Sequence, residues 1–204
     1  VYDEKKYHTM SYYLSITPFR WLELGYTCTL LRSTKIKHGI EDVEHPGLNH
    51  KDRYFSLKIQ PVREKEGKWW PSVAVGMNDM FSNRKVKEPL VDPETGKPKS
   101  IGNSLFANYY VAVSKHFDYG EHRFGLHVSY RDWKRDRNSK WNSVVGGITY
   151  QPSFQQNLRV IAEYTGDDVN VGFDWKLWKY LLIQSSLQNG KYFSGGVCFC
   201  INLL

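Results

Sequence analysis

The sequence lacks the apolar run that a membrane-spanning helix requires, because no segment of its 204 residues approaches the ~20 consecutive apolar residues that cross a bilayer. It also has only three cysteines. Cys198 and Cys200 lie two residues apart on one predicted strand, where a mutual disulfide is geometrically poor. Together with Cys28 they match no metal-binding spacing, and all three are predicted to be inert packing residues.

Motifs that carry catalytic chemistry are absent as well. No Ser-His-Asp spacing, glycine-rich phosphate loop or metal cluster is present, so the sequence predicts no enzyme, no catalytic residue, no cofactor and no metal site. The net charge of +7 suggests an acidic partner such as a phosphate or an anionic polysaccharide, although most of the excess Lys and Arg falls in predicted loops. Because there is no basic helix, we expect no nucleic-acid partner.

Alternation of apolar and polar residues dominates the sequence and is clearest in residues 157–204. There, for example, Val169, Val171 and Phe173 share one face of a predicted strand, which is the period of two that strands impose. Asn189-Gly190 is a strong signal for a two-residue hairpin turn. The whole chain, residues 1–204, is predicted to be one domain of about eleven strands without a helix.

The predicted connections alternate in length over most of the chain. Long loops are predicted at residues 32–49, 79–103 and 132–140, and most other connections are short turns. Outer-membrane β-barrels have long extracellular loops and short periplasmic turns, so we expect these three loops outside the cell and the C-terminus in the periplasm. Since such barrels normally have an even number of strands, we expect twelve, with one further strand before residue 1 or an edge paired by another chain.

Two features favour a transmembrane up-and-down antiparallel β-barrel over a barrel in water. Aromatics make up 15% of the residues and concentrate at the ends of predicted strands, as Trp69, Trp70 and Tyr119 do, which suits the membrane–water interface. The polar strand faces mix both charge signs with small residues, which suits a narrow lumen. The predicted lumenal charge network consists of Glu23, Lys58, Arg123, His127, Arg159, Glu163 and Asp174. Outer-membrane lipid is therefore an expected partner.

Some of these residues also allow chemical alternatives. Glu163 and Asp174 on neighbouring strands resemble the paired carboxylates of a glycosidase, but Arg159 shares their face and favours a salt-bridge network. His127 lies between two arginines in sequence and would suit an anion, although a packed lumenal histidine is the favoured interpretation.

Several motifs resemble the YjbH-like outer-membrane β-barrels of Gram-negative bacteria. In chain order they are YYLSITPF (12–19) with LEL (22–24), DRYFSLK (52–58), WPSVAVGMND (70–79), YYVAVSK (109–115) and AEYTGDDVNVG (162–172). Members of that family usually begin with an additional strand, which agrees with the expected twelfth strand. The chain departs from the outer-membrane pattern at Leu204, where an aromatic often ends the last strand. The resemblance implies a role in exopolysaccharide production and export.

Three functions therefore remain open. The first is a non-enzymatic barrel that helps surface or exo-polysaccharide pass or assemble, acting through its long loops. The second is a small accessory barrel beside a larger outer-membrane complex for protein assembly, secretion or nutrient uptake. Its predicted partner seam is Gly195, Val197 and Phe199 on the last strand. The third is a narrow pore.

Overall fold

The computed structural model describes residues 9–37, 40–65, 67–80, 106–133 and 143–201. Within them the chain forms eleven strands and no helix: β1 (Thr9–Phe19), β2 (Leu22–Lys37), β3 (Ile40–Val62), β4 (Ser72–Asn78), β5 (Asn108–Tyr119), β6 (His122–Trp133), β7 (Ser143–Gln151), β8 (Leu158–Tyr164), β9 (Val169–Leu177), β10 (Leu181–Gln188) and β11 (Tyr192–Phe199). They form one antiparallel sheet in which the strand order follows the chain. The predicted all-β, up-and-down antiparallel fold of eleven strands is confirmed. Barrel closure, a twelfth strand and a membrane location stay predictions.

The predicted turn at Asn189-Gly190 is present, but three residues, 189–191, separate the paired residues Gln188 and Tyr192 instead of the predicted two. Both residues have positive φ, 50° and 66°, as the mirror-image turn that joins two twisted strands requires. Pairing of β10 with β11 runs without a shift from Gln188↔Tyr192 to Leu181↔Phe199. This hairpin therefore sets the register of the last two strands.

The predicted loop at residues 32–49 is wrong. β2 continues to Lys37 and β3 begins at Ile40, so most of this segment forms the two arms of a paired hairpin. These mainly polar residues can still pair, because the hydrogen bonds between the two strands join backbone groups and do not require an apolar face. The register shifts near Gly47, next to a proline that cannot donate to the ladder, as expected for a bulge.

The other two predicted loops lie mostly outside the described residues. Residues 81–103 and 134–140 are not described, and neither is Leu204. Asp132 belongs to β6, which runs to Trp133, so the loop predicted from residue 132 begins later than expected. Positive φ at Asp79, 56°, marks the end of β4, where its N–H donates to the Phe55 carbonyl oxygen at 2.7 Å.

The chain divides into two compact units. One comprises residues 1–59, 76–109 and 133–139, and the other comprises residues 60–75, 110–132 and 140–204. The first unit contains β1, β2 and most of β3, with β1 paired to β2 and β2 to β3. The second contains β6 to β11 almost completely. The prediction of a single domain stays a prediction.

Burial along the strands is inverted relative to a protein with an apolar interior. On β6, exposed Phe124, Leu126, Val128 and Tyr130 alternate with residues that are covered at least in part. Among the described residues the buried positions are mainly polar, and the buried polar or charged ones are Thr29, Asp52, Asp79, Asn108 and Asp174. The apolar face of the strands is therefore the exposed face.

Candidate functional site

The register of the second unit aligns two kinds of side chains in adjacent rows. The apolar row comprises Leu126, Ile148, Ala162, Val171, Leu187 and Phe193, which pair in succession across β6 to β11. The polar row comprises His127, Gly147, Glu163, Asn170 and Gln188, which pair in the same way across β6 to β10. Because successive residues of a strand point to opposite faces, the two rows lie on opposite sides of the sheet.

The polar row is held by hydrogen bonds between neighbouring strands. The Nδ1 atom of His127 lies 2.8 Å from the Ser114 hydroxyl, and its Nε2 lies 3.4 Å from Thr149 Oγ1. The Asn170 amide donates to Glu163 Oε1 at 3.0 Å. These contacts fix the orientation of His127 and Glu163.

A cavity of about 230 Å³ opens over this face beside Gly146 and Gly147. Its polar lining includes His127, Arg131 and Glu163, so it offers hydrogen-bond donors and an acceptor. The volume falls below the ~300 Å³ at which small-molecule pockets begin. The cavity therefore suits a single polar group of a ligand.

An ion pair lies further along the same strands. Arg159 and Asp174 are register partners, and Nε of Arg159 lies 3.2 Å and 3.1 Å from the two carboxylate oxygens of Asp174. Nη2 of Arg159 also contacts Oδ2. Only 7% of the Asp174 side chain is exposed, and the guanidinium gives this nearly buried carboxylate an oppositely charged hydrogen-bonding partner.

The remaining members of the predicted charge network form separate local pairs. Lys58 Nζ lies 3.2 Å from Glu23 Oε2, between register partners of β2 and β3 in the first unit. Arg123 Nε lies 3.7 Å from Asp118 Oδ1 near the β5–β6 turn. Of the seven predicted residues, His127 and Glu163 line the cavity beside Gly147. The prediction that all seven face a lumen stays a prediction.

The glycosidase-like alternative is not supported by the partners of its two carboxylates. Glu163 pairs with Asn170, whereas Asp174 pairs with Arg159. Each carboxylate therefore has its own cross-strand partner, an amide for Glu163 and a guanidinium for Asp174.

A second cluster, Glu64–Lys115–His116, was not predicted. Lys115 Nζ lies 2.8 Å from Glu64 Oε1, and His116 Nδ1 lies 2.6 Å from Oε2, while the His116 N–H also donates to Oε1 at 2.8 Å. Burial raises the pKa of Glu64, but the hydrogen bonds from Lys115 and His116 outweigh it and lower the pKa from 4.5 to about 2. Glu64 thus ties the β3–β4 connection to β5.

Aromatic residues surround the same end of β5. Trp69, Trp70, Pro71 and Phe117 line a mostly apolar cavity of about 450 Å³ beside Lys115. Trp69 is 86% exposed, so its ring is available to a lipid or another molecule. The sequence predicts Trp69 and Trp70 as interfacial residues. It does not predict the cavity, because Phe117, which completes the lining, is far away in sequence.

The predicted partner seam lies on a strand whose apolar residues are unusually exposed. Val197 and Phe199 are 62% and 75% exposed, compared with 49% for Leu126 on β6. Gly195 lies two residues before Val197, and a Cβ there would come within 3.1 Å of the Phe193 ring. The seam is therefore an apolar surface, and whether a partner covers it stays a prediction.

The described residues contain no group of three or more His, Cys, Asp or Glu side chains that could hold a metal ion. They also contain no helix that is long and apolar enough to cross a membrane.

Residues 2–85 match the YjbH family, whose description is exopolysaccharide biosynthesis protein YbjH. The resemblance to the YjbH family is confirmed over these residues, and the motifs at residues 109–115 and 162–172 lie outside the match. No curated protein and no solved structure matches the chain.

The YjbH match indicates an exopolysaccharide-related role. It covers β1 to β4 and therefore includes the Glu23–Lys58 pair, Glu64 and the two tryptophans at 69 and 70. The cavity beside Gly147 lies outside the YjbH-matched residues.

Proposed function

We propose that this YjbH-like chain is a non-enzymatic outer-membrane β-barrel that helps a surface polysaccharide or exopolysaccharide pass or assemble. The observation that carries the proposal is the apolar row from Leu126 to Phe193. All of its members except Ala162 are exposed large hydrophobic residues. A continuous exposed apolar row across six strands is costly in water and favourable in hydrocarbon.

A membrane location also explains why the face opposite the apolar row is polar. In a membrane barrel the outward residues contact lipid, and the inward residues contact water or each other. On this interpretation the Arg159–Asp174 pair and the polar row lie inside, where paired charges are tolerated. The covered His127, between Ser114 and Thr149, then belongs to a packed lumen.

The aromatic residues at one strand end support the same placement. Trp69, Trp70, Phe117 and Tyr119 are exposed at the end of β5 or in the preceding β3–β4 connection. Indole and phenol rings favour the headgroup zone of a bilayer, and a lysine stem lies well beside them. Lys115 satisfies this pattern, since its Nζ lies 5.9 Å from the centre of the Phe117 ring.

The polysaccharide part of the proposal rests on the family match together with the cavity beside Gly147. Sugar hydroxyls both donate and accept hydrogen bonds, and Arg131 and Glu163 supply the complementary groups. His127 lines the same cavity, and its two ring nitrogens contact Ser114 and Thr149 and so hold the wall of the cavity in place. A cavity of this size would hold one part of an extended polysaccharide at a time.

The test is complementation of a strain that lacks the gene. Wild-type protein should fractionate with the outer membrane, show a heat-modifiable band on gel electrophoresis and restore the amount of surface polymer. His127→Ala and Glu163→Gln should fractionate normally but restore less polymer. The control is Lys58→Gln, which breaks the partly exposed ion pair with Glu23 outside the cavity and should behave as wild type.

Two results would contradict the proposal in distinguishable ways. Recovery of the folded chain in the water-soluble fraction would contradict the membrane barrel. Unchanged surface polymer in the deletion strain, with the chain present in the outer membrane of the parent, would contradict only the polysaccharide role.

A second candidate function, an accessory subunit of a larger outer-membrane complex, is favoured by the exposure of Val197 and Phe199 on β11. A partner barrel would cover such an apolar surface. Extraction in mild detergent should then co-elute this chain with a much larger protein, and Val197→Trp should reduce that co-elution. Leu126→Trp, on a strand with two neighbours, is the matched control. Elution of the wild-type chain alone would contradict this candidate.

A further inference from the structure

Two adjoining cavities lie beside the β3–β4 connection and the end of β5. The first is the apolar cavity of about 450 Å³ lined by Trp69, Trp70, Pro71, Lys115 and Phe117. The second has a volume of about 470 Å³ and a more polar lining, and it shares Trp69, Lys115 and Phe117 with the first. Both volumes lie in the range of small-molecule sites, ~300–1,000 Å³. A ligand that occupies both cavities therefore needs an apolar part next to a polar part.

The backbone beneath these cavities is held in place by hydrogen bonds. The Lys68 N–H donates to the Lys65 carbonyl oxygen at 3.1 Å and closes a tight turn. Lys115 Nζ, on β5, donates to the Lys68 carbonyl oxygen and to Glu64 Oε1, both at 2.8 Å, and only 15% of the Lys115 side chain is exposed. Trp69 follows Lys68 directly, so its exposed ring is positioned before any ligand binds. Such preorganisation lowers the entropic cost of binding.

The polar cavity has an excess of positive charge. The charged residues of its described lining, His116 apart, are Lys68, Lys115, Arg123, Glu64 and Asp118. Glu64 neutralises Lys115, whereas Arg123 and Asp118 are 3.7 Å apart and 41% and 56% exposed. Exposed pairs of this kind are weak, so the Arg123 guanidinium can turn to another anion. The lining therefore suits a group with one negative charge, such as a phosphodiester.

The apolar cavity suits an acyl chain better than a sugar ring. Trp69, Trp70, Pro71 and Phe117 supply carbon surface to its lining. The charged residue beside them, Lys115, already donates to a carboxylate and to a backbone carbonyl. A sugar needs hydrogen-bonding partners for its hydroxyl groups, whereas an acyl chain gains free energy from apolar contact alone.

We propose that the two cavities together bind one anionic phospholipid molecule. Its phosphodiester would lie at Lys68 and Arg123, and the start of an acyl chain would lie against Trp69 and Phe117. This site rests on the proposed membrane location and adds a specific lipid to it. Indole rings favour the headgroup zone of a bilayer, and basic pockets at that depth bind anionic headgroups.

The β9–β10 turn, residues 178–180, supplies a matched comparison. In an up-and-down sheet it lies at the same end of the strands as the β3–β4 connection. Trp178 is 84% exposed, compared with 86% for Trp69, and Lys179 Nζ lies 5.5 Å from the centre of the Tyr180 ring. These three residues lie outside the described lining of both cavities. A general preference of aromatic and basic residues for lipid would therefore act on both turns alike.

The experiment titrates a fluorescent phosphatidylglycerol into the folded, full-length chain in detergent and follows fluorescence anisotropy. Unlabelled short-chain lipids serve as competitors. Wild type should bind one labelled lipid, and phosphatidylglycerol should compete at least about fivefold better than phosphatidylcholine because of the excess cation. Lys68→Gln should weaken binding about fivefold and Trp69→Ala about tenfold. Trp178→Ala and Lys179→Gln are the matched controls and should bind as wild type does.

Four results would overturn the inference. They are no saturable binding to the folded wild type, equal competition by phosphatidylcholine or inorganic phosphate, equal weakening by Trp178→Ala and Trp69→Ala, and displacement of the lipid by maltohexaose. The last result would indicate a sugar site instead.

Heat-modifiable mobility of the same samples separates this inference from the proposed function. A folded band without lipid binding overturns the lipid site and leaves the membrane barrel intact, whereas a folded chain recovered in water without detergent overturns both. If Trp69→Ala fails to fold, the exposed Lys68 decides, because Lys68→Arg should retain the binding that Lys68→Gln weakens.

Discussion

Leu126→Arg places a positive charge in the apolar row near the middle of β6. Leu126 pairs with Ile148, and both side chains are about half exposed or more. If this surface meets hydrocarbon, an arginine near the bilayer midplane costs about 2–4 kcal/mol of folding free energy. If it meets water, a surface substitution changes stability by only about 0.5 kcal/mol or less. The two environments therefore predict clearly different results.

The position of the charge along the strand supplies a matched control. Tyr119 is 80% exposed but lies at the end of β5, next to the turn. In a membrane, Tyr119→Arg should cost only about 0–1 kcal/mol because the side chain reaches the interface. Leu126→Ala separates the loss of the leucine from the gain of the charge.

The assay is urea titration of the chain folded into phosphatidylcholine vesicles, followed by tryptophan fluorescence and by heat-modifiable mobility. A difference of about 2–4 kcal/mol corresponds to a roughly 30- to 1000-fold change in the folding equilibrium. The reasoning is refuted if Leu126→Arg stays within about 0.5 kcal/mol of wild type. It is also refuted if the two arginine variants are equally destabilised.

Three further predictions concern stability. Because the pKa of Glu64 is lowered from 4.5 to about 2, the contribution of Glu64 to folding stability is present above pH 4.5 and is lost as the pH falls towards 2. Urea titrations across this range should show a pH-dependent decrease in the free energy of unfolding of at most about 3 kcal/mol in the wild type and none in Glu64→Gln. Identical pH profiles of the two proteins would contradict this. Arg159→Gln should destabilise the protein by about 3 kcal/mol because Asp174 loses its cation. Adding Asp174→Asn should restore part of this stability, and a double-mutant cycle measures the coupling between the two residues. Additive effects of the two substitutions would argue against the pair. Gly172→Ala should lower the free energy of unfolding by about 1–3 kcal/mol in a urea titration, because its Cβ would collide with the backbone of β10. Gly196→Ala is the control and should leave stability unchanged, because the space around Gly196 is open. Equal effects of the two substitutions would refute the close approach at Gly172.

The strands were predictable because their physical signal is local. A side-chain period of two is visible in any strand with one apolar face, and the positive φ values at Asn189-Gly190 follow from the residue types. The hairpin arms of residues 32–49 escaped prediction because their few apolar residues do not recur with a period of two. Backbone pairing alone leaves no such pattern in a sequence.

The site was less predictable because it depends on register between strands. Alternation places Arg159, Glu163 and Asp174 on one face, but only the register decides that Asp174 pairs with Arg159 and Glu163 with Asn170. The contact between Glu64 and His116 joins residues 52 positions apart. It depends on the stagger of β5 against the β3–β4 connection, and the composition of neither segment carries a signal for it.

The central claim is that the exposed apolar face of these strands lies in lipid, and spin-label accessibility along β6 tests it most directly. In a background with serine at all three native cysteine positions, single cysteines at residues 123–131 would be labelled in vesicles and exposed to oxygen and to a water-soluble nickel reagent. We predict that Phe124, Leu126, Val128 and Tyr130 are reached by oxygen and not by nickel, and that the positions between them show the reverse preference. Equal access of nickel to both sets would contradict the membrane barrel.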